Sequence, residues 1–194
     1  MSKRQAAIER KTNETQITGT LVLDGTGKSE IDTGVGLLNH LLDSMVRFAR
    51  FDLTLTCKGD LHVDDHHTAE DCALALGAAL DEALGDRAGI ARFGWALTPM
   101  DGSLARGAVD LSGRPYAAVE LDLQRDKIGD LACENIAHVL HSLAIAARMT
   151  LHADTLRGDN DHHRAEAVFK ALGLALRQAI AIDGGGVPST KGVL

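Results

Sequence analysis

The sequence predicts an α+β fold that consists of two duplicated half-domains of β-β-α-β-α type, with sheets backed by helices. Three observations predict it: short alternating stretches typical of strands, longer stretches of 3.6-residue periodicity typical of helices, and an internal repeat. Residues 66–84 (HHTAEDCALALGAALDEAL) align without a gap with residues 162–180 (HHRAEAVFKALGLALRQAI), and ten of the nineteen positions are identical. The identities include both histidines, the glutamate and the apolar stripe, so we interpret the repeat as a duplication.

The first half-domain is assigned to residues 1–92. Its elements follow from alternation between apolar and polar residues in the strands and from helical periodicity elsewhere. In chain order they are strands over residues 8–12 and 16–23, a helix over 34–48, a strand over 51–56 and the helix of the first repeat. This half holds His40 and the motif His66-His67-x-x-Glu70.

The second half-domain is assigned to residues 93–194. Its elements are strands over residues 93–99, 104–111 and 116–123, a helix over 131–148, a strand over 149–153 and a helix over about 163–182. Asp130 is the expected N-cap of the helix that starts at residue 131. This half holds His138, the motif His162-His163-x-x-Glu166 and a C-terminal PSTKG segment.

Composition restricts the function classes. A chain of 194 residues with 45% hydrophobic residues can bury a core without disulfides. The net charge of -7 and the lack of a Lys/Arg cluster argue against nucleic acid as a partner, and no apolar stretch has the length of a membrane span. Three cysteines at unhelpful spacings predict no disulfide framework, which favours a reducing, cytoplasmic location.

Two histidines and a glutamate at this spacing are typical of metal ligands. At a helix start, His66 and Glu70 are four residues apart and His67 and Glu70 are three apart, so either pair faces one point in space. Neighbouring helical residues point about 100° apart, so His66 and His67 are not expected to serve one ion from the same side. The pattern predicts two neighbouring ions, or one ion shared with another segment.

The earlier helix of each half adds one histidine, because residues 39–44 align with residues 137–142 at nearly the same offset. The resulting set has enough ligands for two metal ions with open positions for a substrate. The candidate ligands are His40, His66, His67, Glu70, His138, His162, His163 and Glu166. His62, His141 and His152 have no duplicated counterpart, so structural roles are expected for them.

Other polar residues have two interpretations each. Asp64, Asp65 and Asp71 either orient imidazoles or are solvated charges at a helix start. The PSTKG segment at residues 188–192 is either an anion clamp or a polar tail. The candidate anion-binding residues are Arg92, Arg114, Ser189 and Lys191, although arginines and lysines of this kind are also common surface residues.

These segments together resemble the imidazoleglycerol-phosphate dehydratase family, the lyases of histidine biosynthesis. The matching motifs run in the expected order towards the C-terminus. They are DDHHTAED from Asp64, SGRP from Ser112, GDNDHHRAE from Gly158, FKAL from Phe169 and PSTKG from Pro188. The sequence departs from the family pattern in the first helix, where Asn39, Ser44 and Phe48 stand in place of the usual Asp, Gln and His.

The resemblance implies two half-domains of the ribosomal protein S5 domain 2-like kind. It implies two Mn²⁺ ions per active site, bound by the eight ligands above, and a homo-oligomer, a 24-mer with active sites between subunits. It implies catalytic roles for Glu14, Glu70 and Glu166, with Glu14 the first candidate for moving a proton. The substrate contacts that it implies are Glu14, Arg92, Arg114, Ser189 and Lys191.

The implied reaction removes water from D-erythro-imidazole glycerol phosphate to give imidazole acetol phosphate. Two other functions would use the same ligands: a dinuclear metal hydrolase with a metal-bound hydroxide, and a metal-binding assembly without turnover. Release of phosphate would identify the hydrolase. Loss of function on mutating Arg92, Arg114 or Lys191 would exclude the assembly without turnover.

Overall fold

The computed structural model describes residues 4–187 and 189–192 of the chain. Its first half is a four-stranded sheet with two helices. The elements, in chain order, are β1 (Gln5–Lys11), β2 (Thr15–Val22), β3 (Ser29–Asp32), α1 (Gly36–Ala49), β4 (Asp52–Gly59) and α2 (His66–Leu84). The sheet has the order β1-β2-β4-β3, and β3 runs parallel to β4 while the other neighbours are antiparallel.

The second half repeats this topology. Its elements are β5 (Phe93–Met100), β6 (Ser103–Asp110), β7 (Tyr116–Glu120), β8 (Lys127–Ile128), β9 (Leu131–Ala132), α3 (Cys133–Ala146), β10 (Thr150–Arg157) and α4 (Asp161–Ala179). The sheet order β5-β6-β10-β7 matches that of the first half, with β7 parallel to β10. The predicted α+β fold of two duplicated half-domains is therefore confirmed.

Two details of the halves differ from the prediction. The first half contains β3, so its order is β-β-β-α-β-α; this strand is four residues long and has one apolar residue, Ile31, which is too little to give a strand pattern. In the second half, α3 begins at Cys133 rather than at residue 131, because Leu131 and Ala132 pair with the short strand β8.

The expectation that Asp130 caps α3 is wrong. The Asp130 carboxylate accepts hydrogen bonds from the backbone N–H of Gly36 at 2.5 Å and of Leu37 at 2.9 Å, so it caps α1 of the other half. The β8–β9 hairpin carries Asp130 at its turn and presents it to α1. The N-cap of α3 is Ala132, which makes no side-chain cap hydrogen bond.

Helices of opposite halves pack directly against each other, α2 on α3 and α1 on α4. Two glycines at equivalent positions of the repeat allow the close approach. A Cβ atom on Gly77 would lie 2.7 Å from the carbonyl oxygen of Leu143 in α3, and one on Gly173 would lie 2.4 Å from that of Met45 in α1. The two halves therefore share one hydrophobic core, and α2 faces α3 just as α4 faces α1.

Candidate metal centre

The first cluster of candidate ligands lies between α2 and α3. His66 and Glu70 occupy the first turns of α2, and His138 comes from α3. The Nε2 atom of His138 is 3.0 Å from Oε1 of Glu70, and the rings of His66 and His138 stack with centroids 5.0 Å apart. One ligand atom from each of the three residues lies within 4.8 Å of the others.

The second cluster lies between α1 and α4 and repeats this arrangement. His162 and Glu166 are in the first turns of α4, and His40 comes from α1. The Oε2 atom of Glu166 is 3.0 Å from Nε2 of His40 and 3.2 Å from Nε2 of His162. The rings of His40 and His162 stack with centroids 5.3 Å apart.

Each cluster combines the two halves of the chain. The first and third ligand of one His-His-x-x-Glu motif meet the helix histidine of the opposite half, because α2 packs on α3 and α4 packs on α1. The duplication therefore explains why the two clusters are alike, whereas the packing of one half on the other determines which residues meet in each cluster. Neither cluster is complete within one half.

The second histidine of each motif lies outside these clusters. The Nδ1 atom of His67 is 3.0 Å from Oδ2 of Asp60, and its Nε2 atom is 3.6 Å from Oε1 of Glu14. The hydrogen bond with Asp60 is the main cause that raises the pKa of His67. In the second half, Nδ1 of His163 is 3.6 Å from Oδ2 of Asp101. The structure thus separates neighbouring histidines, as the 100° step of a helix requires.

Glu14 and Asp101 occupy equivalent places, because Glu14 lies in the turn between β1 and β2 and Asp101 in the turn between β5 and β6. Each turn presents a carboxylate to the second histidine of its own half. The signal that identifies Asp101 is the repeated hairpin, which lies outside the repeated helices.

Asp71 holds the hairpin that carries Glu14. Its buried carboxylate accepts hydrogen bonds from Nε of Arg10 at 2.8 Å and from the Thr15 hydroxyl at 2.5 Å. The Thr12 hydroxyl lies 3.3 Å from the same carboxylate and accepts the backbone N–H of Glu14 at 3.1 Å. Asp71 is therefore neither an imidazole partner nor a solvated charge; it fixes the turn beside His67.

Asp65 supports a metal-ligand candidate through an intermediate side chain. It is buried and accepts hydrogen bonds from Nδ2 of Asn135 at 3.1 Å and from the backbone N–H of Ala132 at 2.7 Å. The Oδ1 atom of Asn135 is 2.9 Å from Nδ1 of His66. Asp64 is a charge at the helix start, the second role expected for it, because its carboxylate accepts a hydrogen bond from the backbone N–H of His66.

Glu166 is held as a carboxylate by its neighbours. Burial raises its pKa, but hydrogen bonds and charge from Lys170 and His40 outweigh burial and lower the pKa to about 2. The Nζ atom of Lys170 is 2.8 Å from Oε1 of Glu166 and also lies over the Phe48 ring, 5.8 Å from its centroid. An ionised carboxylate with two imidazoles is a donor set that divalent Mn, Zn and Fe accept, so the residues fit a metal ion.

The arginine candidates lie together, at the end of α4 opposite to the second cluster. Asp110 accepts hydrogen bonds from Nε and one terminal nitrogen of Arg92, at 2.6 and 3.0 Å, and is 3.7 Å from a terminal nitrogen of Arg114. The Asp110 hydrogen bond raises the pKa of Arg92. The backbone of Arg92 bonds to Ala179 at the C-terminal end of α4, whereas Glu166 is near the N-terminal end, roughly 20 Å away at 1.5 Å per residue.

The C-terminal segment reaches the same end of α4. Its start pairs with the residues before Arg92, because the N–H of Asp183 bonds to the carbonyl of Gly89. Ser189 is partly exposed and Lys191 exposed, and the Ser189 hydroxyl accepts the backbone N–H of Lys191 at 3.2 Å. Pro188, the first residue of the PSTKG segment, lies outside the described residues.

Sequence reasoning did not find several neighbours of the candidate residues. They are Asp60, Asp101, Asp110 and Asn135, together with the contact of Lys170 with Glu166. Asn135 corresponds to Leu37 and Lys170 to Leu74 when the halves are aligned. A duplicated pattern contains only the residues that both halves share, so it does not include Asn135 or Lys170.

Comparisons with known proteins agree on one family. The family model described as imidazoleglycerol-phosphate dehydratase matches residues 33–176. The chain is 54% identical over 191 residues to an imidazoleglycerol-phosphate dehydratase of Chlorobium luteolum, covering 98% of this chain and 96% of that protein. It is 57% identical over 192 residues to one of Phytophthora nicotianae, of whose length it spans 42%.

A solved structure is similar as well. The crystal structure of imidazoleglycerol-phosphate dehydratase from Staphylococcus aureus superposes with a TM-score of 0.83 at 35% identity, over 92% of this chain and 99% of that one. None of the helices in the described residues combines the length and the hydropathy that crossing a membrane requires.

Proposed function

This chain belongs to the imidazoleglycerol-phosphate dehydratase family and is a metal-dependent lyase of histidine biosynthesis; we propose that its two side-chain clusters are the metal sites of that reaction. The substrate is the phosphorylated imidazole that the family name specifies. The observation that carries the proposal is the meeting of two imidazoles and one carboxylate twice in one chain, each time with Nε2 and carboxylate oxygen atoms about 3 Å apart.

The proposed metal is Mn²⁺, with two ions per active site. Bound ions would supply Lewis acidity that stabilises negative charge on the substrate imidazole. The residues of the chain supply the coordination: His40, His66, His67, Glu70, His138, His162, His163 and Glu166. Their carboxylates and neutral imidazoles are ligands that Mn²⁺ accepts.

Glu14 is the proposed acid–base residue. It is half exposed, lies 3.6 Å from Nε2 of the ligand candidate His67, and sits in a turn that Asp71 fixes. A carboxylate in this position can take a proton from the carbon adjacent to the one that loses hydroxide, which leaves an enol. It can then deliver that proton to the carbon that lost hydroxide while the enol O–H proton is released, so that hydroxide and one proton leave in sum as water. Glu70 and Glu166, also expected to be catalytic, are less free to move protons because their oxygens already face imidazoles.

We further propose that active sites form between subunits of a 24-mer. His67 and His163 face away from the ligand clusters of their own chain, so they are available to clusters on a neighbouring copy. The backbone of Arg92 lies roughly 20 Å along α4 from Glu166, and Arg114 shares Asp110 with Arg92, so we expect a substrate held at the clusters of one chain to reach the arginines of a neighbouring copy. Their proposed role is to bind the phosphate, together with Ser189 and Lys191.

An exposed apolar surface supports assembly. Phe93, Trp95 and Leu97 on the edge strand β5 are 51%, 67% and 61% exposed, and Tyr116 on the same sheet is 57% exposed. Large exposed hydrophobic side chains that alternate along an edge strand, as Phe93, Trp95 and Leu97 do, are typical of protein interfaces. A cytoplasmic location belongs to the same proposal, and the three free cysteines agree with a reducing compartment.

Turnover tests the proposed function. Purified protein would be stripped of metal, resupplied with Mn²⁺ and given imidazole glycerol phosphate, with the enolisable ketone product and free phosphate measured in parallel. The proposal expects metal-restored ketone formation without phosphate release. Phosphate release would instead identify a hydrolase, and metal binding without turnover would identify a storage or structural assembly; the family comparisons favour neither.

A further inference from the structure

The two clusters have the same ligand types but different neighbours. Asn135 contacts His66 in the first cluster, and Lys170 contacts Glu166 in the second. The corresponding positions of the repeat are Leu37 for Asn135 and Leu74 for Lys170. Each cluster therefore has one polar neighbour that is replaced by leucine in the other half.

Asp65 and Asn135 fix the tautomer of His66. A carboxylate such as Asp65 can only accept hydrogen bonds, so the group of Asn135 that faces it must be the Nδ2 amide nitrogen. The Oδ1 atom of Asn135 therefore faces the His66 ring. Because Oδ1 accepts, Nδ1 of His66 carries the proton and Nε2 keeps its lone pair. A metal ligand supported in this way is oriented before the ion arrives.

His162 has no such support. Among the described residues, its one hydrogen bond through the ring joins Nε2 to Oε2 of Glu166. An ion entering the second cluster must replace that contact and must also select the ring tautomer. The His162 ring is therefore fixed only when an ion binds, and the entropy lost in fixing it lowers the affinity of the second cluster for the ion.

Lys170 also lowers the metal affinity of the second cluster. Its ammonium group is 2.8 Å from Oε1 of Glu166, so it occupies one carboxylate oxygen and places a positive charge beside the ion site. Like charges repel most strongly at short range in a partly buried site. Glu70, the equivalent carboxylate, has His138 as its hydrogen-bond partner in the described part of the chain.

We infer that the two metal sites are unequal: the cluster of His66, Glu70 and His138 fills first and binds Mn²⁺ more tightly than the cluster of His40, His162 and Glu166. Asn135 is a positioning residue for the tight site, and Lys170 weakens the other site. The inference rests on the proposed function to the extent that it takes both clusters as metal sites. It adds the order of loading and the residues that set that order.

A titration tests the inference. Metal-stripped full-length protein would be titrated with Mn²⁺ while free Mn²⁺ is followed by electron paramagnetic resonance. Wild-type protein is expected to bind in two steps per chain that differ at least about tenfold in affinity. Removing a ligand identifies each step: His138→Gln should abolish the tight step and leave the weak one, and His40→Gln should do the reverse.

Exchanging the polar neighbours for their repeat counterparts tests the cause. Asn135→Leu should weaken the tight step by about 10- to 100-fold, the usual effect of removing a residue that orients a metal ligand. Lys170→Leu should tighten the weak step, and Lys170→Arg, which keeps the charge, should leave it unchanged. In the double variant Asn135→Leu/Lys170→Leu the two steps should converge.

Three results would overturn the inference: one class of two equal sites in wild-type protein, loss of the tight step in His40→Gln, or equal weakening of both steps by Asn135→Leu. Turnover in the same samples separates this inference from the proposed function. Active protein with two equal sites would overturn the inference alone, and two ordered steps without turnover would overturn the proposed function alone.

Discussion

His138 and Glu70 belong to different halves of the chain, yet Nε2 of His138 lies 3.0 Å from Oε1 of Glu70. In the second cluster, His40 from the first half contacts Glu166 from the second half in the same way. Both contacts depend on helices of the two halves packing closely, so the geometry of the metal centre depends on the packing of the core.

Replacing Gly77 with alanine tests this dependence. The added methyl group would lie 2.7 Å from the Leu143 carbonyl oxygen and 2.7 Å from Cβ of Ala146, so α2 and α3 must separate. We expect unfolding in urea to show a stability loss of about 1–3 kcal/mol, with weaker Mn²⁺ binding. Gly186→Ala is the control, because a Cβ atom there has nothing within 4 Å. Equal behaviour of the two variants would contradict the role of α2–α3 packing.

Asp71→Asn is expected to lower kcat without removing metal. The substitution breaks the ion pair with Arg10 and loosens the turn that carries Glu14, and misplacing a reacting group by about 1 Å can cost about 100-fold. Steady-state kinetics and metal analysis would measure the two effects. Asp154→Asn, which breaks an ion pair with Arg106 on the sheet of the second half, is the matched control. Unchanged kcat in Asp71→Asn would refute the positioning role.

Arg114→Gln is expected to raise KM about tenfold while stability stays within about 0.5 kcal/mol. Arg114 is 63% exposed, and the one ion pair that it makes with described residues, to Asp110, is long at 3.7 Å, so little folding energy depends on it. A phosphate would gain a charged hydrogen bond from it. The measurement is the substrate dependence of turnover beside a thermal melt. Arg106→Gln controls for general loss of positive charge, and an unaltered KM in Arg114→Gln would argue against a phosphate contact.

Asp130→Ala is expected to cost about 1 kcal/mol at neutral pH by removing the cap of α1. Burial raises the pKa of Asp130, but the N–H groups of Leu37 and Gly36 outweigh burial and lower it. A carboxyl with a lowered folded pKa contributes its stability above its unfolded value of about 3.9 and loses it as pH falls through the folded pKa. The difference between wild type and variant should therefore shrink below about pH 4, in denaturant unfolding measured across pH. A constant difference would contradict capping by the charged form.

The fold could be predicted because its pattern occurs twice in the sequence, and the same repetition selects the ligand set, which stays a prediction. Residues 66–84 and 162–180 retain the histidines, the glutamate and the glycine that packs the helices. A duplicated pattern marks which residues matter, but it contains no information on which copy each residue meets. That pairing depends on contacts between α2 and α3 and between α1 and α4, which are long-range.

Three features could not be predicted from the sequence, each for its own physical reason. Asp130 was expected to cap the helix next to it in the chain, whereas a hairpin turns it towards α1. Asn135 and Lys170 lie where the halves differ, so comparing the halves could not select them. The strand β3 has too few apolar residues to show alternation, and its parallel partner β4 holds it in place instead.

The most direct test is anomalous X-ray diffraction at the manganese edge from crystals of the Mn²⁺-loaded protein. We expect two peaks per chain, one bound by His66, Glu70 and His138 and one by His40, His162 and Glu166, each completed by His67 or His163 from a neighbouring copy. Ions bound elsewhere, or empty clusters in protein that turns over imidazole glycerol phosphate, would contradict this expectation.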